Sequence, residues 1–293
     1  MKYLTIILIS LFCIKGRAQR NIQKFDIRDG LSSNYVNGIT QDKHGFLWFA
    51  TEEGLSSLDG SNFRTFYVNS NRDSTKGVAL NVVFSDAKEP LVWIGAQRDG
   101  LASYNVESGK LTYYRHNPKD PNSIATNDIT AIAPTADITK IWVSTFWQGV
   151  ELLDKTTGSC GHFNTATVSG LPENRVWSIA DDCHGHLYVG HNSKGMSIID
   201  IGSRHAVNIK KGDGDKCLPG AGVNKIVIDD DGRVWTATNN GLAVYYPQEN
   251  RLLRFDAIDD VPTPLKSGNI PTLAYIDRQM WVAVELCGVY VID

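Results

Sequence analysis

Short apolar runs bounded by turn-forming residues recur along the chain from Val36 to its last residue, Asp293. The first unit shows the pattern. Val36–Gln41 alternates apolar and polar side chains, Asp42-Lys43-His44-Gly45 forms a turn, and Phe46–Thr51 is a second run. Glu52-Glu53-Gly54 leads into Leu55–Leu58, and Asp59-Gly60, a strong hairpin signal, precedes Asn62–Tyr67. This predicts four antiparallel strands in about 46 residues, the size of one propeller blade. In the second strand apolar side chains point both ways, Trp48 and Ala50 to one side, Leu47 and Phe49 to the other. Blades stacked around an axis are buried on both faces, whereas a sandwich leaves one face polar.

The unit repeats. Leu47-Trp48-Phe49-Ala50-Thr51 aligns with Val92-Trp93-Ile94-Gly95-Ala96, Ile141-Trp142-Val143-Ser144-Thr145, Leu187-Tyr188-Val189-Gly190, Val234-Trp235-Thr236-Ala237-Thr238 and Met280-Trp281-Val282-Ala283. The aromatic positions are 45, 49, 46, 47 and 46 residues apart. A glycine follows each by six or seven residues: Gly54, Gly100, Gly149, Gly195, Gly241 and Gly288. Six matching registers define the architecture. At the ends, Ile22–Ile27 occupies the register of a fourth strand, and Gly288–Asp293 that of a third. One leading strand, five complete blades and three trailing strands amount to six blades of four. The expected fold is all-β, a six-bladed propeller closed by its N-terminal strand, which hides the sheet edges, or else a fragment of a larger propeller.

The pattern Leu-x-x-Asn-x-Val followed by Asp-x-x-Gly-x-Leu-Trp-x-x-Thr-x-x-Gly-Leu resembles the two-component regulator propeller repeat. Leu31–Val36 with Asp42–Leu55 and Asp230–Leu242 are its best copies, and the resemblance extends over nearly all of residues 22–293. It implies the periplasmic sensor half of a hybrid histidine kinase, many of which detect oligosaccharides. Such propellers usually carry seven blades, which makes a seven-bladed parent the alternative to six. They are followed by a β-sandwich, a membrane helix and kinase modules, so any membrane link is expected through a part that does not follow Asp293. Repeat four departs from the pattern with Tyr188 for Trp and His191 for Thr; repeat six has Val284 at the Thr position and Cys287 before its glycine.

Composition fits this reading. The chain has 42% hydrophobic and 21% charged residues, 26 glycines and 10 prolines. Residues 1–18 have the charged, apolar and small-residue layout of a secretory signal peptide: Lys2, then Tyr3–Ile14, then Gly16-Arg17-Ala18. An uncleaved anchor is the competing reading, but the run is shorter than the ~20 residues a membrane helix needs. Residues 19–293 then form the propeller. Removing Lys2, Lys15 and Arg17 shifts the net charge from −3 to −6, which disfavours nucleic-acid binding. Cys160, Cys183, Cys217 and Cys287 match no metal spacing and are expected as free, buried thiols, with one disulfide as the alternative.

The repeated Trp and Tyr residues belong to the core rather than to a ligand, given their mid-strand positions beside small residues. The Asp-x-x-Gly turns lack the downstream Glu of a calcium loop. His184 and His186 are separated from His191 by a strand of roughly 16 Å at ~3.3 Å per residue, too far for shared coordination of a metal. No nucleophile motif, phosphate loop or HExxH occurs, so neither catalysis, a cofactor nor a metal is expected; a glycan lyase or hydrolase using Glu52, Glu53, Asp99 or Glu285 is the weakest alternative. The binding residues are expected in the loops after each second strand and before each first strand, which share one face. They include Arg98, Phe146, Trp147, Gln148, Arg175, His191, Asn239 and Glu285. Trp147 would stack on a sugar, and Arg98 and Arg175 would orient an acidic group. The expected partner is an oligosaccharide or other small ligand; another propeller or a second copy, docking on the same face or an unpaired edge, is the alternative.

Overall fold

The computed structural model describes residues 23–66, 77–86 and 89–293; the expected signal peptide lies outside them. Six antiparallel sheets follow one another in chain order, five of four strands and one of three. Blade one comprises Val36–Gln41, Leu47–Thr51, Gly54–Leu58 and Phe63–Phe66. The first strands of blades two to six are Leu80–Ser85, Ile129–Ala133, Val176–Asp181, Val223–Ile228 and Thr272–Ile276. First strands of successive blades pack on one another, as expected for the innermost strands of a propeller.

The apolar registers build the interfaces between blades. Trp48, Ala50 and Leu55 of blade one pack on Leu80, Val83 and Val92 of blade two, and the later blades repeat the arrangement. Trp48, Trp93, Trp142, Tyr188 and Trp235 are all buried, as expected of core aromatics. Asp-x-x-Gly turns hold two of them, Trp48 and Trp235. One oxygen of Asp42 accepts the backbone N–H groups of His44 and Phe46, and the other accepts Trp48 Nε1 at 2.7 Å. Asp229 serves Trp235 Nε1 in the same way at 2.7 Å. The repeated glycines all have positive φ, from 81° to 117°. At Gly195 a Cβ would stand 2.2 Å from the Ile209 carbonyl oxygen, so glycine is required there.

The expected closing strand is not seen. Residues 23–26 form no strand, and Ile27–Asp29 is a single 3₁₀ turn. Asp26 caps this turn, Phe25 packs edge-on against Phe63 of blade one at 5.4 Å, and Asn34 Oδ1 accepts the Ile27 N–H. The segment is thereby tied to blade one, and among the described residues nothing pairs with the outer edge of Gly288–Ile292 in blade six. Among the described residues, both end faces are without a neighbouring blade. Val36 and Ile39 are 36% and 60% exposed, while their counterparts in the other five blades, such as Leu80 and Val83, are buried. On blade six Val289 and Val291 are exposed.

Candidate functional site

One backbone bond recurs in all six blades and defines the mouth. The residue after each second strand donates its N–H to the carbonyl of the residue at the entry to the first strand. The pairs are Glu52–Tyr35, Gln97–Ala79, Phe146–Asp128, Asn192–Arg175, Asn239–Gly222 and Glu285–Asn269, at 2.9 to 3.2 Å. Six side chains therefore occupy equivalent places, and five of them are polar. Phe146 is the exception.

The Phe146 loop is tightly held. Thr145 Oγ1 donates to the Gly149 carbonyl and accepts the Gln148 N–H, and Gly149 has φ +90°. The three residues between are pushed outward, which leaves Trp147 56% exposed and Gln148 exposed at the tip. Phe146 stands edge-on to Trp147 at 4.6 Å and against Trp177 at 4.9 Å. Trp177, 41% exposed, completes a ridge of three rings. Contacts of this kind between rings contribute about 0.5–1.5 kcal/mol each, enough to order the ridge.

Trp177 owes its position to a bulge. In blades one to five the second residue of the first strand is bulged out of the pairing: Asn37, Asn81, Thr130, Trp177 and Asn224. Asn37, Asn81, Thr130 and Asn224 donate to the carbonyls of Leu80, Ile129, Val176 and Ile270 in the following blade, at 2.8 to 3.0 Å. An indole cannot make that bond from this position. Trp177 Nε1 instead donates to Asn192 Oδ1 at 2.8 Å, and the ring is turned to the mouth.

Charges flank the ridge unequally. Arg175 pairs with Glu173 at 3.1 Å, and Glu173 also accepts the Ser193 N–H. Arg98 has no ion pair among the described residues and lines an open cleft of about 420 Å3 with Val78, Ala79, Gln97 and Asp99. Burial raises the pKa of Asp128, opposed by Arg98. Arg98 is thus the more available cation.

The structure gathers Arg98, Phe146, Trp147, Gln148 and Arg175 on blades two to four. Asn239 and Glu285 stand apart on blades five and six, where Asn239 accepts the Gly222 N–H and Glu285 accepts Asn269 Nδ2. His191 does not reach the mouth. It is buried, bonded through Nε2 to Ser197 Oγ at 2.8 Å, and burial lowers its pKa to about 4, so it is a neutral core residue in the place of the turn threonine. Trp177 escaped the sequence reading, although its place is filled by a hydrogen-bonding side chain in four other repeats.

Among the described residues no group of three or more His, Cys, Asp and Glu is arranged to hold a metal. Cys160 is the buried cysteine; Cys217 is half-buried, and Cys183 and Cys287 are exposed, contrary to the expectation of buried thiols throughout. Asp99 pairs with Arg115 and Glu285 with Asn269, so these carboxylates do not face one another.

A family profile, Two component regulator propeller, matches residues 30–53. The extracellular domain of a putative hybrid two-component system of B. thetaiotaomicron superposes with a TM-score of 0.80 at 36% identity, covering 92% of this chain and 35% of its own. The chain thus carries a match to the two-component regulator propeller repeat and shares its fold with that extracellular domain. A second such extracellular domain from B. thetaiotaomicron shares the fold, with a TM-score of 0.71 at 18% identity over 94% of this chain and 37% of its own. A protein described as Histidine kinase P4, from Formosa agariphila, is 40% identical over 74 residues, which is 24% of this chain and 5% of that protein. The chain therefore spans about a third of the solved relatives it matches and a small part of the kinase. Among its described residues no helix is long and apolar enough to cross a membrane.

Proposed function

We propose that this propeller is the ligand-recognising part of an exported sensor in a two-component system, and that it binds an oligosaccharide across the mouth of blades two to four. Residues 1–18 act as the export signal, and the ligand is met in the periplasm. Trp147 and Trp177 offer flat apolar surfaces to sugar faces, Asn192 and Gln148 supply hydroxyl partners, and Arg98 orients an acidic substituent. No residue of the chain is given a catalytic role. The reading rests on one observation: three contiguous aromatic rings, two of them exposed, gathered on one side of the mouth.

Calorimetry of the purified chain against a glycan panel tests it. Trp147→Ala is expected to weaken the bound glycan about tenfold or more, as removal of an aromatic anchor does. Unchanged affinity would remove Trp147 from the site. Release of shortened product by the protein alone would replace the reading with a lyase or hydrolase.

The open faces of blades one and six favour a second reading, a module that associates with another copy of itself. Sedimentation measurements separate the two, since a ligand-binding propeller has no need to associate.

A further inference from the structure

Glu151 lies on the third strand of blade three, Gly149–Asp154, and is fully buried. Alternation puts it on the same side as Leu153, which packs with Ile124 and Cys160 toward blade two. His162, on the outer strand Cys160–Phe163, stands opposite it across the strands. The imidazole meets an acceptor at each nitrogen. Glu151 Oε2 lies against Nδ1, and the Pro121 carbonyl oxygen is 2.7 Å from Nε2. Pro121 belongs to the connection between blades two and three, residues 115–128, which closes on itself through Asn117 and Ser123. The connection touches blade three again at the Asn122 carbonyl, which accepts the Cys160 N–H at 2.7 Å. Its Asn117, Asp120, Ser123 and Ile124 wall a cavity of about 530 Å3 against Lys155 and Gly158 of blade three.

Proton counting decides what these contacts can be. A carbonyl oxygen only accepts, so Nε2 must carry a hydrogen to hold Pro121. Nδ1 and Oε2 then need one proton between them, as imidazolium with carboxylate or as neutral imidazole with carboxylic acid. When that proton is removed, one N–H is left for two acceptors. The carboxylate is fully buried and its Oε1 has no hydrogen-bond partner, so it keeps the donor in preference to the carbonyl. The ring then carries its hydrogen on Nδ1 and presents a bare Nε2 to Pro121.

Other groups face the pair. The Ala125 N–H favours the carboxylate. Burial keeps the Cys160 thiol protonated, pushed up to about 12, with Asp120 close to it. Arg204 donates to the His162 carbonyl at 3.1 Å and disfavours the imidazolium. His116, on the same connection, bonds the Ile124 carbonyl through Nδ1 at 2.9 Å, which a neutral imidazole does equally well.

We propose that one proton shared between Glu151 and His162 clasps the connection between blades two and three onto blade three, and that its loss at alkaline pH frees Pro121 and loosens the cavity wall. The proton leaves to solvent through the half-buried His162. Desolvation lowers the pKa of His162, but the Pro121 carbonyl and Glu151 outweigh it, so release is expected above the ordinary value of 6.5. None of these residues belongs to the aromatic ridge, so the clasp and the ligand reading can fail separately.

Hydrogen exchange of the purified chain tests the clasp, with the Cys160 amide reporting the docking of Asn122. Its protection factor, corrected for the intrinsic pH dependence of exchange, is expected to fall about tenfold between about pH 5 and about pH 9. Glu151→Gln should keep the amide protected at both, because the glutamine amide can donate to Nδ1 while the neutral ring donates Nε2 to Pro121. Constant protection in the parent chain, or an equal fall in both chains, overturns the clasp. An amide less protected in the variant at both pH values makes Glu151 a packing residue and overturns it as well. If the variant does not fold, NMR of the imidazole nitrogens in the parent chain decides. His162 Nε2 is expected to be protonated at the lower pH and bare at the higher, and an Nε2 that keeps its hydrogen at both rules the clasp out.

Discussion

At the scale of single residues, the fold depends on polar atoms placed against apolar ones. Asp42 and Asp229 each close a turn and fix a tryptophan, so one carboxylate links a hairpin to the interface between blades. Trp142 reaches Asp181 of the next blade instead, at 2.7 Å, because its own turn begins at Pro134. Blade three carries a further polar pair. Glu151 is fully buried and accepts from His162 Nδ1, while His162 Nε2 faces the Pro121 carbonyl at 2.7 Å. Burial pushes Glu151 up to about 7, against the pull of the imidazole beside it. Burial opposes the charge on His162, but the Pro121 carbonyl and Glu151 together leave its pKa raised. Both groups hold protons more tightly folded than unfolded, where their ordinary values are 4.5 and 6.5. The pair's contribution is therefore fully present below pH 4.5 and lost as the pH rises through about 7. Urea unfolding is expected to show a decline of about 2 kcal/mol between roughly pH 5 and 8, a slope about half the ~1.4 kcal/mol per pH unit that one fully unmatched proton gives. Glu151→Gln should flatten that decline, and an unchanged slope would assign it to other groups.

At the scale of elements, the first strands join architecture to recognition. Four of the five bulged residues tie one blade to the next, and the fifth, Trp177, gives up that bond to face the mouth. Trp177→Asn should restore a donor for the Val223 carbonyl while removing a ring from the ridge. The expected result is a melting temperature equal to or above that of the parent, together with glycan affinity about tenfold lower. A loss of both would show Trp177 to be a packing residue. The Trp and Gly registers made the blades legible because period and alternation report burial directly. The Phe146-Trp147 tip was legible because large apolar rings seldom occupy turns. Trp177 was not, because a bulge shifts the alternation by one residue and makes a mouth-facing ring read as part of a strand. His191 was misplaced for a related reason: a polar side chain at a strand end is indistinguishable in sequence from a loop residue, and only packing against Ser197 shows that it turns inward.

At the scale of the molecule, the two end faces are complementary in the way every internal pair of blades is. Blade one presents Val36 and Ile39, the side that Leu80 and Val83 of blade two bury against blade one. Blade six presents Trp281, Ala283, Val289 and Val291, joined by cross-strand pairing of Trp281 with Val291 and Ala283 with Val289. This is the side that Trp48, Ala50 and Leu55 bury against blade two. Each open face therefore lacks what the other offers, so two copies that associate through these faces would do so head-to-tail rather than symmetrically. A lysine on either face should block it, because an unpaired ammonium in an apolar contact has no partner. Ile39→Lys leaves the blade-six face intact, and Val289→Lys leaves the blade-one face intact. Each variant alone is expected to sediment as a monomer, whereas an equimolar mixture should form a one-to-one dimer, since one variant supplies each usable face. A mixture that stays monomeric while the parent chain associates would mean that the parent uses a different surface. A parent chain that is monomeric at all concentrations would overturn the association reading.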